Sequence, residues 1–487
     1  RVKGLSDMYL SGSELAQVLP PTVSSALKEI YVSCETGWRK DTGQAWREIQ
    51  LREQVTPSEW LHVGDNEHAD VQLPQALGLI HPVHVLRPGS HFSVVPGLRG
   101  LCPSASVRQR WQDQLWLGLV ANRFAQLGDE HPHDLAGTVR LAQPEMFGYV
   151  VLGPLLASYL PWLARQALQQ EAGALLFLAR EGHLLQRGYA LLQAAVPALH
   201  KLPGIYLLAS RRGIGTPAIT HPQDLRPLLI SPFTGSLGQL LDARLGDPVY
   251  RAVEARLGNA AMREPVYLPE MTDRLIERLH PAFDAIAAVA AEERRGYLAY
   301  WQREVGEAHR PIVADIGYAA TIQAHLSRLC GQPLGGGYFA IDRRIEQVLP
   351  AGNRAEACFY DARMAGMPKT PVIDHHLLLE AVLTSPDGQF SHFEEVRGEL
   401  VPVFRHAAST TQDSPWSLLA PIHAGAEKYL QDVFEVTGED SLALELDRAL
   451  VQEPLRCVGS GQWQLGAWAK SLKVEDWFTG RGGIPPV

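Results

Sequence analysis

Along the first 95 residues, short apolar runs alternate with amphipathic ones at close spacing. The apolar runs at 30–33, 60–63 and 79–85 predict strands, and the mixed runs at 12–18, 43–52 and 67–76 predict helices. Such alternation predicts a parallel sheet with helices on its faces. From 87 to 106 the chain turns to proline, glycine and serine, which predicts a linker over 96–106. Helical patterns then cover 107–127 and 144–171. A continuous apolar run at 174–180 predicts a buried strand, followed by a helix over 181–195 and a strand at 205–210. Residues 222–306 read as mostly helical and end in one long helix over 271–307. Strands at 311–317 and 337–341 flank a helix at 319–329. The predicted fold class is therefore α/β. A parallel sheet with helices on its faces (1–95) precedes a second α/β domain with a large helical insertion (107–370). From 371 to 487 the pattern thins to an α+β extension, with a hairpin over 390–404 and a helix over 417–436. There is no internal repeat and no low-complexity segment.

Composition narrows the function classes. A net charge of −9 over 487 residues argues against a general nucleic-acid binder, which would carry a basic face. Cys34, Cys102, Cys330, Cys358 and Cys457 are odd in number and far apart. They suit a reducing cytoplasm better than a disulfide framework or a zinc site. The chain opens on Arg1 with no secretory leader pattern, and reads as a piece that begins inside a domain. The most apolar stretch, 147–168, contains Pro154, Pro161 and Arg165 and is expected to be a buried helix, not a membrane span. Trp111, Trp116 and Trp162 sit at helical spacing and are expected in the core.

The candidate chemistry lies at strand ends, where open α/β sheets place ligands. Ser6-Asp7-Met8-Tyr9-Leu10 follows the first apolar start. Lys40, with Thr42 and Gly43 behind it, follows the second run, and Gly64-Asp65-Asn66 with Asp70 follows the third. A hydroxyl, an ammonium and two carboxylates suit a phosphoryl group and a divalent metal. Ser6 and Lys40 would hold phosphate, Asp65 and Asp70 would take the metal, and Asn66 would fix a carboxylate. Helix capping is the plainer alternative for Ser6, Asn66 and the aspartates.

These three pieces, in this order, resemble motifs II, III and IV of the haloacid dehalogenase (HAD) superfamily over residues 1–85. The resemblance implies a Rossmann-like sheet, Mg²⁺, and phosphatase or phosphotransferase activity through an aspartyl-phosphate. Ser6, Lys40 and Asp65 would then be catalytic, with Asp65 and Asp70 at the metal. It also implies an Asp-x-Asp nucleophile motif before the Ser6 motif. That motif is absent from this sequence, and Asp7 does not replace it. The chain alone is therefore expected to be inactive at this site.

In the second domain, three strand ends carry polar groups: Arg180-Glu181-Gly182-His183, Ser210-Arg211-Arg212, and Asp315-Ile316-Gly317-Tyr318 with Thr321 and Gln323 beyond. Arginines there suit phosphate or carboxylate, and His183 suits acid–base work. Ion pairs that lock the sheet, Arg180 with Glu181 and Arg211 or Arg212 with Asp315, are the alternative. The region is similar to one that accompanies HAD domains in bacterial proteins associated with surface-polysaccharide synthesis, with Glu181 in place of an aspartate. That resemblance implies glycan-biosynthesis proteins as partners, while the small phosphorylated substrate is what the HAD motifs imply. Asp374-His375-His376 with Glu380 has metal-like spacing, although such groups usually form a surface face. Three functions follow as expectations: a Mg²⁺-dependent phosphohydrolase, a glycosyl- or phosphotransferase in the second domain, or a non-catalytic scaffold.

Overall fold

The computed structural model describes residues 1–79, 81–102, 104, 109–405, 415–476 and 482–486. The protein is mixed α/β with parallel sheets, divided into two compact units, Arg1–His91 and Phe92–Val487.

In the first unit, β1 (Gly4–Ser6) pairs in parallel with β2 (Ile30–Val32), and β3 (Leu61–Gly64) with β4 (His81–His84). Helix α1 (Gln44–Glu53) buries Ala45, Trp46 and Ile49. The single sheet expected over 1–95 does not form. The strands remain two separate pairs, and no described strand bridges them. Each strand is three or four residues long, and Leu61 and Val63 on β3 stay 64% and 55% exposed. This contrasts with parallel sheets generally, whose faces are covered.

The second unit is built on a five-stranded parallel sheet. Here β5 is Val139–Leu141, and the sheet strands are β6 (Leu175–Leu178), β7 (Gly204–Leu207), β10 (Ile312–Asp315), β11 (Gly335–Ile341) and β12 (Glu356–Asp361). Strands β8 (Phe233–Ser236) and β9 (Pro265–Leu268) form an antiparallel pair inside the insertion. The spatial order is β12-β11-β10-β6-β7, so the chain leaves β6 first to one side and later to the other. Alternate residues along β6 face opposite cores. Leu175 and Phe177 join one cluster, and Leu176 and Leu178 join another. Burial on both faces is why this strand reads as an unbroken apolar run.

Helix α2 (Trp111–Glu130), helix α3 (Gly153–Gln169) and helix α4 (Gly182–Ala195) cover the first face. The apolar run continues as one helical stretch over Pro144–Gln169, and its most apolar 18-residue window is entirely buried inside the protein. Helix α5 (Phe283–Glu304) and helix α6 (Thr321–Cys330) cover the other face, through Tyr297, Tyr300, Trp301 and Leu326. Between β7 and β10 the helical insertion has a core of its own, from Ile219 to Ala290. The long helix expected over 271–307 is broken in two, Thr272–Leu279 and Phe283–Glu304. Pro281 lies at the break, where it removes a backbone donor and crowds the preceding turn.

Other expectations are also corrected. The stretch read as a linker over 96–106 is packed where it is described: Leu98 and Leu101 are fully buried, and Gly97 O accepts from Trp463 Nε1 at 2.7 Å. Of the three tryptophans expected in the core, Trp116 and Trp162 are buried, but Trp111 is 49% exposed at the first position of α2. The region beyond 371 shares the main core. After α7 (His376–Leu383) come the hairpin β13 (Gln389–Val396) and β14 (Glu399–Arg405), and α8 (Pro415–Thr437), which packs on α3 and α4. Strand β15 (Trp463–Leu465) then pairs with β5.

Glycine sets the approach of α8. A Cβ on Gly425 would fall 2.0 Å from Glu145 O, and one on Gly148 would fall 1.9 Å from Ile422 O. Gly425→Ala is therefore expected to lower stability by about 3 kcal/mol, at the upper end of overpacking costs, measured by urea unfolding.

Candidate functional site

In the first unit, the turn after β1 is tied to Lys40 through the main chain. Both Asp7 carboxylate oxygens accept from Lys40 N–H, each at 3.1 Å. The Lys40 ammonium reaches across to Asp70, beyond β3, at 2.7 Å. Asp70 is fully buried, and also meets His62 Nε2 at 3.1 Å and the Asn66 N–H at 3.0 Å. Burial alone would raise the Asp70 carboxyl, but Lys40, the Asn66 N–H and His62 outweigh it and hold the carboxyl below its ordinary value. Burial pushes the His62 imidazole down, against the pull of Asp70. Asn66 also caps the following helix by accepting from the Ala69 N–H at 3.0 Å. Sequence reasoning thus brought Lys40 and Asp70 together but missed His62.

Asp65 is placed differently. Its half-exposed carboxylate pairs with Arg87, and its carbonyl meets His84 Nε2 at 3.1 Å. Ser6 lies at the end of β1, partly exposed. Asp65 and Asp70, expected as metal ligands, have cationic partners instead: one is held by Arg87 and the other by Lys40. Among the described residues, no group of three histidine, cysteine, aspartate or glutamate side chains is arranged to hold a metal. The carboxylates as arranged do not fit Mg²⁺, and the 374–380 cluster does not form a ligand set. Within it, His376 Nδ1 bonds to Ile373 O at 3.0 Å, and its ring meets Tyr318 edge-on at 5.6 Å.

In the second unit, the sheet order reverses between β6 and β10, which pair directly with Ala314 beside Phe177. Open α/β sheets bind ligands at the carboxyl ends of the strands at such a reversal. Arg180, Glu181, Asp315, Gly317 and Tyr318 gather there, all partly exposed. Burial pushes the Asp315 carboxyl well above its ordinary value, Glu181 and Glu380 add to the rise, and the Ile316 N–H (2.8 Å) and Arg211 oppose it. Burial also raises the Tyr318 phenol, helped by Glu380, Asp315 and Glu181. The Tyr318 hydroxyl is buried without a hydrogen-bond partner. Glu380 comes from α7 and Tyr318 from the turn after β10, and neither role was assigned from sequence. A Cβ on Gly317 would fall 2.6 Å from Ala340 O, and its φ is +148°, so this glycine is needed by the backbone itself.

His183 stands at the start of α4, in edge contact with Tyr206 and Trp416 and tilted on His423, with its Nδ1 buried and unpaired. Burial pushes its imidazole down, as does Arg187.

Arg212 does not belong with these groups. It is 1% exposed, and its guanidinium grips Glu293 on α5 at 2.6 and 3.0 Å. Its remaining donors go to Leu245 O at 3.0 Å and to Ser391 O. Burial pushes Arg212 down and Glu293 up, and the paired contact holds both charges. Ser210 is likewise internal, donating to Phe390 O at 2.7 Å and capping the next helix. Arg211 is exposed and stays at the sheet edge.

No family model matches the chain, and no curated protein matches it.

Arg212→Met leaves the Glu293 carboxylate buried and unpaired. It is expected to cost about 3–5 kcal/mol in urea unfolding, and adding Glu293→Leu should restore most of the loss.

Proposed function

We propose that the first unit is a HAD-type phosphoryl-handling module acting on a small phosphorylated metabolite, in the cytoplasm and in the context of surface-glycan synthesis. The observation that carries this reading is the Lys40–Asp70 contact at 2.7 Å, which ties the segment after β2 to the segment after β3. Lys40 offers phosphate a positive charge and Ser6 a hydroxyl. Asp70, itself held by His62, fixes the ammonium, while Asp7 fixes the Lys40 main chain. Mg²⁺ at this point would need Asp65 released from Arg87 and further oxygen ligands beyond Asp65 and Asp70.

The test is phosphate binding read at the site. Inorganic phosphate should shift the His62 imidazole resonances in NMR, and Lys40→Ala should weaken that binding about tenfold or more. A shift unchanged by Lys40→Ala contradicts the reading. Asp65→Asn should leave stability within about 0.5 kcal/mol, because a half-exposed ion pair contributes little.

A second reading is favoured by one observation, the reversal of strand order between β6 and β10 with Arg180, Glu181 and Asp315 beside it. It makes the second unit a small-anion site of transferase type.

A further inference from the structure

We propose that the crevice at the carboxyl ends of β6 and β10 binds a small hydroxyl-bearing phosphate ester, with Arg180 and Arg211 taking the phosphate and Glu181 and Glu380 accepting from the hydroxyls. This rests on the second reading above and gives it a ligand class.

Topology supplies the place. The N-termini of α4 and α6 both open at this edge of the sheet, one after β6 and the other after β10. Helix N-termini present N–H groups and a partial positive charge to an anion. Guanidinium groups match phosphate oxygens two at a time.

The carboxylates decide what else the ligand carries. Glu181 and Glu380 both act electrostatically on Asp315 and on Tyr318, so the four groups share one environment. A bare anion would meet these acids and be repelled. An ester with free hydroxyls gives the same carboxylates hydrogen-bond donors while its phosphate lies at the arginines. Arg180, Arg211 and Glu380 already interact within the protein, so the ligand exchanges contacts instead of filling vacant charges.

Tyr318 points independently to a ligand. Its hydroxyl is buried without a hydrogen-bond partner, and burial raises the phenol, helped by the charges of Glu380, Asp315 and Glu181. An unmade buried hydrogen bond is a cost the folded chain carries. A ligand oxygen in the crevice would remove that cost.

The experiment uses the whole chain carrying Lys40→Ala, with the His183 imidazole resonances as local reporter. Glycerol 3-phosphate and methyl phosphate are titrated side by side. Glycerol 3-phosphate is expected to bind about tenfold more tightly. Arg211→Ala should weaken both esters, and Glu181→Gln should abolish the preference. Tyr318→Phe should weaken glycerol 3-phosphate binding with no fall in Tm, a result that misfolding cannot mimic. Equal binding of the two esters, still sensitive to Arg211→Ala, overturns the hydroxyl-bearing class and leaves the small-anion reading standing. No response at His183 to either ester, or binding indifferent to Arg211→Ala, overturns both.

Discussion

One ion pair removed from water holds the second unit in register. Arg212 leaves the end of β7, and Glu293 lies on α5, the last helix of the insertion before β10. Their bidentate contact, with Leu245 O and Ser391 O as further acceptors, ties the sheet, the insertion and the β13–β14 hairpin together. A buried pair of this kind is costly to break and of small net gain over an apolar substitute. It anchors the insertion beside the end of β7. The chain then re-enters the sheet at β10, on the other side of β6. The reversal of strand order, and the crevice beyond it, depend on that return.

The β6–β10 edge gathers unlike charges on partly exposed residues. Burial and two neighbouring carboxylates disfavour the charged form of Asp315, while Arg211 favours it weakly. In the first unit the balance runs the other way: Lys40, the Asn66 N–H and His62 keep Asp70 charged despite complete burial.

Much of this was legible in the chain. The apolar run of β6 marks a strand buried on both faces, and the polar residues just beyond β6 and β10 do meet at one edge. Arg211 and Arg212 look alike in sequence. The turn into the following helix leaves one exposed and buries the other against a carboxylate 81 residues away. No local pattern reports such a partner. The pairing of β5 with β15 and the packing of Leu98 and Leu101 escaped for the same reason, since each depends on residues hundreds of positions distant. Asp65 and Asp70 share one turn, yet Arg87 and Lys40 pull them to different tasks.

Burial at the β6–β10 edge disfavours the charged form of Asp315, which sets this edge apart from an ordinary charged surface. A neutral Asp315 contributes stability that is present below the ordinary aspartate value and is lost as pH rises through its raised value in the fold. The direct measurement is a carbon-13 carboxyl NMR titration of the aspartates, with Asp315 identified by its loss in Asp315→Asn. Asp315 is expected to ionise at a higher pH than the other aspartates, because burial disfavours its charged form. Ionisation with the other aspartates, near about pH 4, would contradict it.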